Sequence, residues 1–164
     1  DAEDVERLAG AREVALNTLM IPHPYPAGEA IQWIATQDGS SNRAHTFAIT
    51  RRSDGALLGA IGLMLTPEHD RGELGYWIGV PYWGNGYLTE AARAIVGYGF
   101  ESLGVNRIFA ACFARNAASM RVLQKIGMRH EGTQRQHLRK WEEYVDAEMY
   151  GMLRSDWQHP ADAR

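Results

Sequence analysis

Apolar residues recur along the chain at two different spacings, and the changes of spacing divide it into elements. Over residues 3–19, Val5, Leu8, Ala9, Leu16 and Leu19, with Arg12 between them, follow a period near 3.6 and predict one helix. Ile21-Pro22-His23-Pro24-Tyr25-Pro26 stops it, because closely spaced prolines cannot continue a helix. A second short helix is expected from about Ala27, carrying Ala30, Ile31, Trp33 and Ile34. After a turn-rich stretch from Asp38 to Asn42, segments 44–51 and 56–65 read as strands. Ser53-Asp54-Gly55 joins them as a hairpin turn. A third strand is expected over 73–80, ended by Pro81.

The period then returns to that of a helix. Leu88, Ala91, Ala92, Ile95, Val96, Phe100 and Leu103 form one stripe, closed by Gly104. The continuous apolar run 107–113 predicts a buried central strand. Asn116 suits the N-cap of a further helix, Val122, Leu123 and Ile126 its inward face, and Gly127 its stop. Two last strands are expected near 128–136 and 144–153. The order of elements predicts an α/β fold with a mixed sheet.

Composition narrows the classes of function. With 164 residues, 45% of them apolar, the chain suits a single domain over 1–164 with a substantial core. Seventeen Lys and Arg against twenty Asp and Glu argue against a dominant nucleic-acid or anionic-membrane surface. Nothing in the sequence has the length of a membrane span, and the acidic start is unlike a secretory signal, so the expected location is cytoplasmic. A single cysteine, Cys112, excludes an internal disulfide framework. It lies inside an apolar run and reads as a core thiol. The six histidines have no ligand spacing, and no metal is expected. The 17 glycines are the excess, about 10% against a usual share of about 7%, so their placement matters.

The most informative placement is Tyr82-Trp83-Gly84-Asn85-Gly86-Tyr87-Leu88-Thr89-Glu90, a glycine pair between a strand and a long helix. The first turn of a helix presents N–H groups without partners and the positive end of the dipole, so such a turn can hold a pyrophosphate. It can equally be an ordinary tight connection. A dinucleotide fingerprint would need Gly or Ala where Thr89 stands. A phosphate-binding P-loop would need Lys at Asn85 and Ser or Thr at Gly86.

Gly72-Glu73-Leu74-Gly75-Tyr76-Trp77-Ile78 with Pro81 to Tyr87 and Thr89-Glu90-Ala91 resembles the acetyl-CoA-binding core of GNAT N-acetyltransferases. The closer likeness is to the branch of ribosomal-protein alanine N-acetyltransferases. Asn116-Ala117-Ala118-Ser119, Val122 to Met128 and Tyr150 to Arg154 support it, so the likeness spans about 21–157. Two departures stand out: Pro81 occupies a position usually held by Gln or Arg, and the chain begins with a helix where the family begins with a strand. The first edge strand is therefore either cut away or missing.

The resemblance implies a mostly antiparallel mixed sheet flanked by helices, splayed between the family's fourth and fifth strands, here 73–80 and 107–113. Acetyl-CoA would lie in the splay, with backbone of Ile78, Gly79 and Val80 along its pantetheine arm. Gly84, Asn85, Gly86, Tyr87, Leu88 and Thr89 would surround its pyrophosphate, and Asn116 would make a further contact after serving as N-cap. The implied reaction moves acetyl to a primary amine, on a protein N-terminus or a small molecule, in a ternary complex. The implied assembly is a monomer or homodimer.

Glu73 is the candidate base for the amine; its bland alternative is a solvated carboxylate at a strand start. The tyrosine that many relatives use as acid is replaced by Leu123. Ser119, sharing the inward face of Val122, Leu123 and Ile126, is the candidate donor to the sulfur, or a serine bonding its own helix. Tyr25 and Trp33, beside the proline elbow, are candidates for the acceptor wall or for core packing. His137 lies in a basic stretch with Arg135, Arg139, Lys140 and Trp141, expected as a solvated loop that could border the acceptor. The competing reading from another class is a catalytically weak acyl-CoA-binding module, prompted by the missing tyrosine.

Overall fold

The computed structural model describes residues 1–37 and 42–157. Its elements are α1 (Ala2–Ala9), α2 (Arg12–Leu16), α3 (Glu29–Ala35), β1 (Ala44–Thr50), β2 (Leu57–Thr66) and β3 (Arg71–Ile78). They are followed by α4 (Tyr87–Glu101), β4 (Arg107–Phe113), α5 (Ala117–Lys125), β5 (Arg129–Lys140) and β6 (Glu143–Leu153). The turn expected over 38–42 falls, apart from Asn42, outside the described residues.

Three boundaries differ from the sequence expectation. The single helix over 3–19 is broken after Ala9: Ala11 is extended at φ −58° and ψ 132°. At Gly10 a Cβ would stand 2.4 Å from Glu6 O and 2.9 Å from Tyr25 Cβ, so the elbow packs directly onto this turn. Strand β3 ends at Ile78, and Val80–Tyr82 form a single 3-10 turn around Pro81. The expected solvated loop around His137 is instead the second half of β5, which runs to Lys140 with a bulge between Gln134 and Leu138. Its residues are mostly polar because β5 is a sheet edge, and no apolar alternation marks it.

The sheet order is β1-β2-β3-β4-β6-β5. Four of its five pairings are antiparallel and β3–β4 is parallel, which gives the mixed, mostly antiparallel sheet expected. That parallel pairing consists of only Arg71↔Arg107, Gly72↔Ile108 and Glu73↔Phe109. Beyond Glu73 the two central strands separate.

Helices cover both faces. On one, Leu58, Ile61, Leu74, Ile78, Ile108 and Ala110 pack against Ala92, Ile95, Val96 and Phe100 of α4 and Leu123 of α5. On the other, Val5, Leu8 and Ala9 of α1 pack with Ala30 of α3 and Leu57, joined by Tyr25, Trp33 and Trp77. Leu74, Tyr76 and Ile78 thus face α4 and α5, while the alternate residues Glu73, Gly75 and Trp77 face α1 and α3.

The two-sided packing leaves no space between β2 and β3 at Gly59, where a Cβ would lie 2.2 Å from Trp77 O and 2.8 Å from Ile78 Cα. At Gly75 a Cβ would meet nothing within 4 Å. Gly59→Ala is therefore expected to lower stability by about 2–3 kcal/mol. Gly75→Ala should change it by no more than about 0.5 kcal/mol. Urea unfolding midpoints at constant m measure both.

Candidate functional site

The separation of β3 from β4 opens a cavity of about 810 Å³ that is lined from both faces of the sheet. Val5, Ala9, Tyr25 and Trp33 border it on the α1–α3 side, and Asn116, Ser119 and Val122 on the α5 side. The backbone along β3 is oriented for an extended ligand. Gly79 N donates to Leu58 O at 2.8 Å, so residue 79 and, by alternation, 77 and 75 turn their peptide groups toward β2. Those of Tyr76 and Ile78 turn the other way, into the gap. Of the three residues expected along a pantetheine arm, Ile78 lines the cavity, whereas Gly79 has its N–H already engaged and neither Gly79 nor Val80 lines the cavity. At Ile78 the carbonyl accepts from the indole Nε1 of Trp83 at 2.8 Å, which places Trp83 across the open end of the gap.

At that end the glycine turn meets α4. Gly84 and Gly86 have φ of 77° and 83°, a left-handed conformation that disfavours side chains, and a Cβ at either would meet nothing within 4 Å. The turn is thus shaped by backbone, with free space over it. Gly86 is the N-cap and supplies no side chain; Glu90 N is the donor that reaches Gly86 O, at 3.1 Å. The N–H groups of Tyr87, Leu88 and Thr89 consequently have no acceptor within the helix. Gly84, Gly86, Tyr87, Leu88 and Thr89 all line the cavity. Asn85 does not; its Nδ2 donates to Trp83 O at 3.0 Å and braces the turn.

Helix α5 presents the polar groups of the opposite wall. Asn116 caps it by accepting from Ser119 N at 3.0 Å and also lines the cavity. Ser119 is 7% exposed, and its hydroxyl lies 2.7 Å from that of Tyr76. Burial holds the Tyr76 phenol well above its usual range, against the smaller opposing effect of the Ser119 bond. Sequence reasoning missed Tyr76, although it stands on the same face of β3 as Leu74 and Ile78. It also missed Arg121 and Lys125, a turn apart on α5, which are the cations among the described lining residues.

On the α1–α3 side the lining carries the opposite charge. Glu73 lies exposed at the apex where the β3–β4 pairing ends, and Glu29 lies beside Tyr25. The Tyr25 phenol is pushed up by burial and by the nearby Glu29 and Glu6. Tyr25 and Trp33 serve both as packing and as cavity wall. His137, exposed on β5, does not line the cavity, although its neighbour Leu138 does. The basic stretch contributes through Lys140 instead. This side chain is 4% exposed and donates from Nζ to Leu19 O at 3.1 Å and Ile21 O at 2.6 Å. Arg115 donates to Leu16 O at 3.0 Å, so two cations hold the 16–21 segment that walls the cleft. Burial, and then Arg115, lower the Lys140 ammonium below its ordinary value.

Residues 1–129 match the sequence profile of the acetyltransferase (GNAT) domain. The uncharacterized N-acetyltransferase YoaA of Bacillus subtilis is 37% identical over 113 residues, which are 68% of this chain. The match spans 64% of YoaA, just under two thirds of its length. The structure superposes on an acetyltransferase of the GNAT family from Bacillus anthracis with a TM-score of 0.84 at 26% identity, covering 94% of this chain and 90% of that one. The ribosomal-protein-S5-alanine acetyltransferase of Vibrio fischeri shares the fold, with a TM-score of 0.79 at 21% identity over 97% of this chain and 91% of its own.

Among the described residues no cluster of His, Cys, Asp and Glu is arranged to hold a metal ion, and no helix is long and apolar enough to cross a membrane. Cys112, the buried thiol on the cavity wall, is pushed up by burial, more than Ser119 beside it pulls it down. A raised thiol carries less thiolate at any given pH. Native protein is therefore expected to resist iodoacetamide near neutral pH and to be alkylated readily once unfolded, as mass spectrometry would report.

Proposed function

Because the chain belongs to the GNAT acetyltransferase family, we propose that it transfers acetyl from acetyl-CoA to a primary amine by direct attack in a ternary complex. The observation that carries this reading is the charge division of one cavity that crosses the sheet. Arg121, Lys125 and the N–H groups opening α4 suit the phosphates of an anionic co-substrate. Glu29 and Glu73, on the other face, suit an acceptor that arrives as an ammonium ion. Acetyl-CoA supplies the activated thioester; the groups just described hold it and the peptide edges of Tyr76 and Ile78 align its arm.

An ammonium has no lone pair, so it must lose a proton before it attacks. Glu73 stands at the apex of the gap on the acceptor face and takes that proton directly or through water. The C–N bond then forms as the C–S bond breaks, and charge develops on sulfur. On the far face, Ser119 is placed to donate a hydrogen bond to that sulfur. Burial raises the Cys112 thiol, and a less ionised thiol favours direct transfer over an acetyl-cysteine intermediate. The acceptor is either a protein N-terminus or a small amine.

Thiol release from acetyl-CoA across a panel of amines and N-terminal peptides tests the reading. Tight binding with no amine raising CoA release above hydrolysis would leave an acyl-CoA-binding module in its place. Gly86→Val, strained at a left-handed backbone and filling the space over the turn, is expected to abolish acetyl-CoA binding in calorimetry. Glu73→Gln should lower kcat by about 10²–10⁴. The loss should be greatest at low pH, with acetyl-CoA affinity intact; an unaltered pH profile would remove Glu73 as the base.

A further inference from the structure

The face of β3 opposite Glu73 carries a polar group that the transfer reaction as described does not use. Tyr76 is the first residue after Leu74 on that face, just past the last β3–β4 pair, and its hydroxyl meets Ser119 Oγ at 2.7 Å inside the gap. We propose that Tyr76 is a positioning residue for the leaving sulfur: its O–H donates to Ser119 Oγ and so turns the Ser119 proton toward the thiolate. This rests on the acetyl-transfer reading above.

Counting protons leads to it. Two hydroxyls have two protons, and the bond between them uses one, so the pair keeps one donor for a third group, a place the neighbouring Cys112 sulfur can take in the free protein and the CoA sulfur in the complex. A phenol is the more acidic hydroxyl and the better donor, so the shared bond runs from Tyr76 to Ser119. A serine hydroxyl near a helix end otherwise bonds a nearby backbone group. The contact with Tyr76 gives Oγ a partner outside its own helix, while the Ser119 N–H is already held by Asn116. Burial keeps the phenol protonated across the working pH range. Tyr76 therefore stays a donor and does not surrender its proton to sulfur. The helix position where relatives carry tyrosine is filled here by Leu123, which is 0% exposed, so the polar group comes from the strand.

The step balances without another reactant. Acceptor nitrogen loses one proton to Glu73 before attack and a second to solvent after the C–N bond forms. The C–S electron pair leaves on sulfur as thiolate, stabilised by the Ser119 hydrogen bond and protonated from water on release.

Steady-state kinetics and titration of the enzyme-bound CoA thiol, followed by thiolate ultraviolet absorbance, test the assignment on Tyr76→Phe, Ser119→Ala and the double variant. Tyr76→Phe is expected to lower kcat about tenfold with the KM for acetyl-CoA unmoved, as befits loss of one oriented hydrogen bond. It should also raise the pH at which bound CoA ionises. The double variant should be no slower than Ser119→Ala, since the two act as a unit. Unchanged kcat and thiol titration in Tyr76→Phe would overturn the proposal, as would losses that add in the double variant. If wild type binds CoA but no amine releases it, the transfer reading fails by itself, and the thiol titration still decides Tyr76. If wild type binds no CoA, both fall.

Discussion

The architecture depends on a sheet that is deliberately incomplete in its middle. Strands β3 and β4 share three residue pairs and then diverge, so a row of peptide groups that a continuous sheet would pair is turned into open space. Unpaired backbone groups are costly when buried. Here the Ile78 carbonyl accepts from Trp83 Nε1, Tyr76 and Ile78 border the cavity, and a hydrophobic core lies on each face of the sheet. One is built on α4 and α5 and the other on α1 and α3. The core on α4 and α5 joins Leu74 and Ile78 of β3 to Ile108, Ala110 and Cys112 of β4, so it ties the two strands together on one face of the gap.

The pleat of β3 then divides the chemistry. Consecutive side chains of a strand point to opposite faces, so Glu73 and Tyr76 stand on opposite sides of the same reacting region without any loop to place them. In the proposed reaction a proton is taken on one face while negative charge is stabilised on the other. The same division orders the charges of the walls, with carboxylates toward α1–α3 and cations on α5. The two sides of the cavity therefore differ in charge.

Elements with a strong period were legible in the sequence: α4, the central strand β4 and the hairpin β1–β2 lie where the apolar spacing put them. The turn before α4 was legible because its requirement is backbone conformation, which leaves glycine as a visible mark at 84 and 86. What escaped depended on tertiary neighbours. The break after Ala9 is imposed by Tyr25 packing on Gly10, a contact between residues with no common period. The length of β5 was hidden because an edge strand need not alternate. Tyr76 lay within the motif that carried the family resemblance, yet its partnership with Ser119 spans 43 positions and exists only once α5 lies over the gap. Lys140 read as a solvated cation and is among the most buried polar residues described.

That lysine has a consequence for how the molecule is assembled. Its bonds to Leu19 O and Ile21 O close loops of 121 and 119 residues, and the Arg115 bond to Leu16 O closes one of 99. Contacts so distant in sequence carry a large loop-closure entropy, to be met before they return any stability. The glycine turn and α4, by contrast, form from adjacent residues. The 16–21 wall of the cavity is thus the part that is completed when the last hairpin docks, and local opening of that hairpin would release it first. The glycine turn is written in local sequence, whereas the wall facing it is a property of the closed chain.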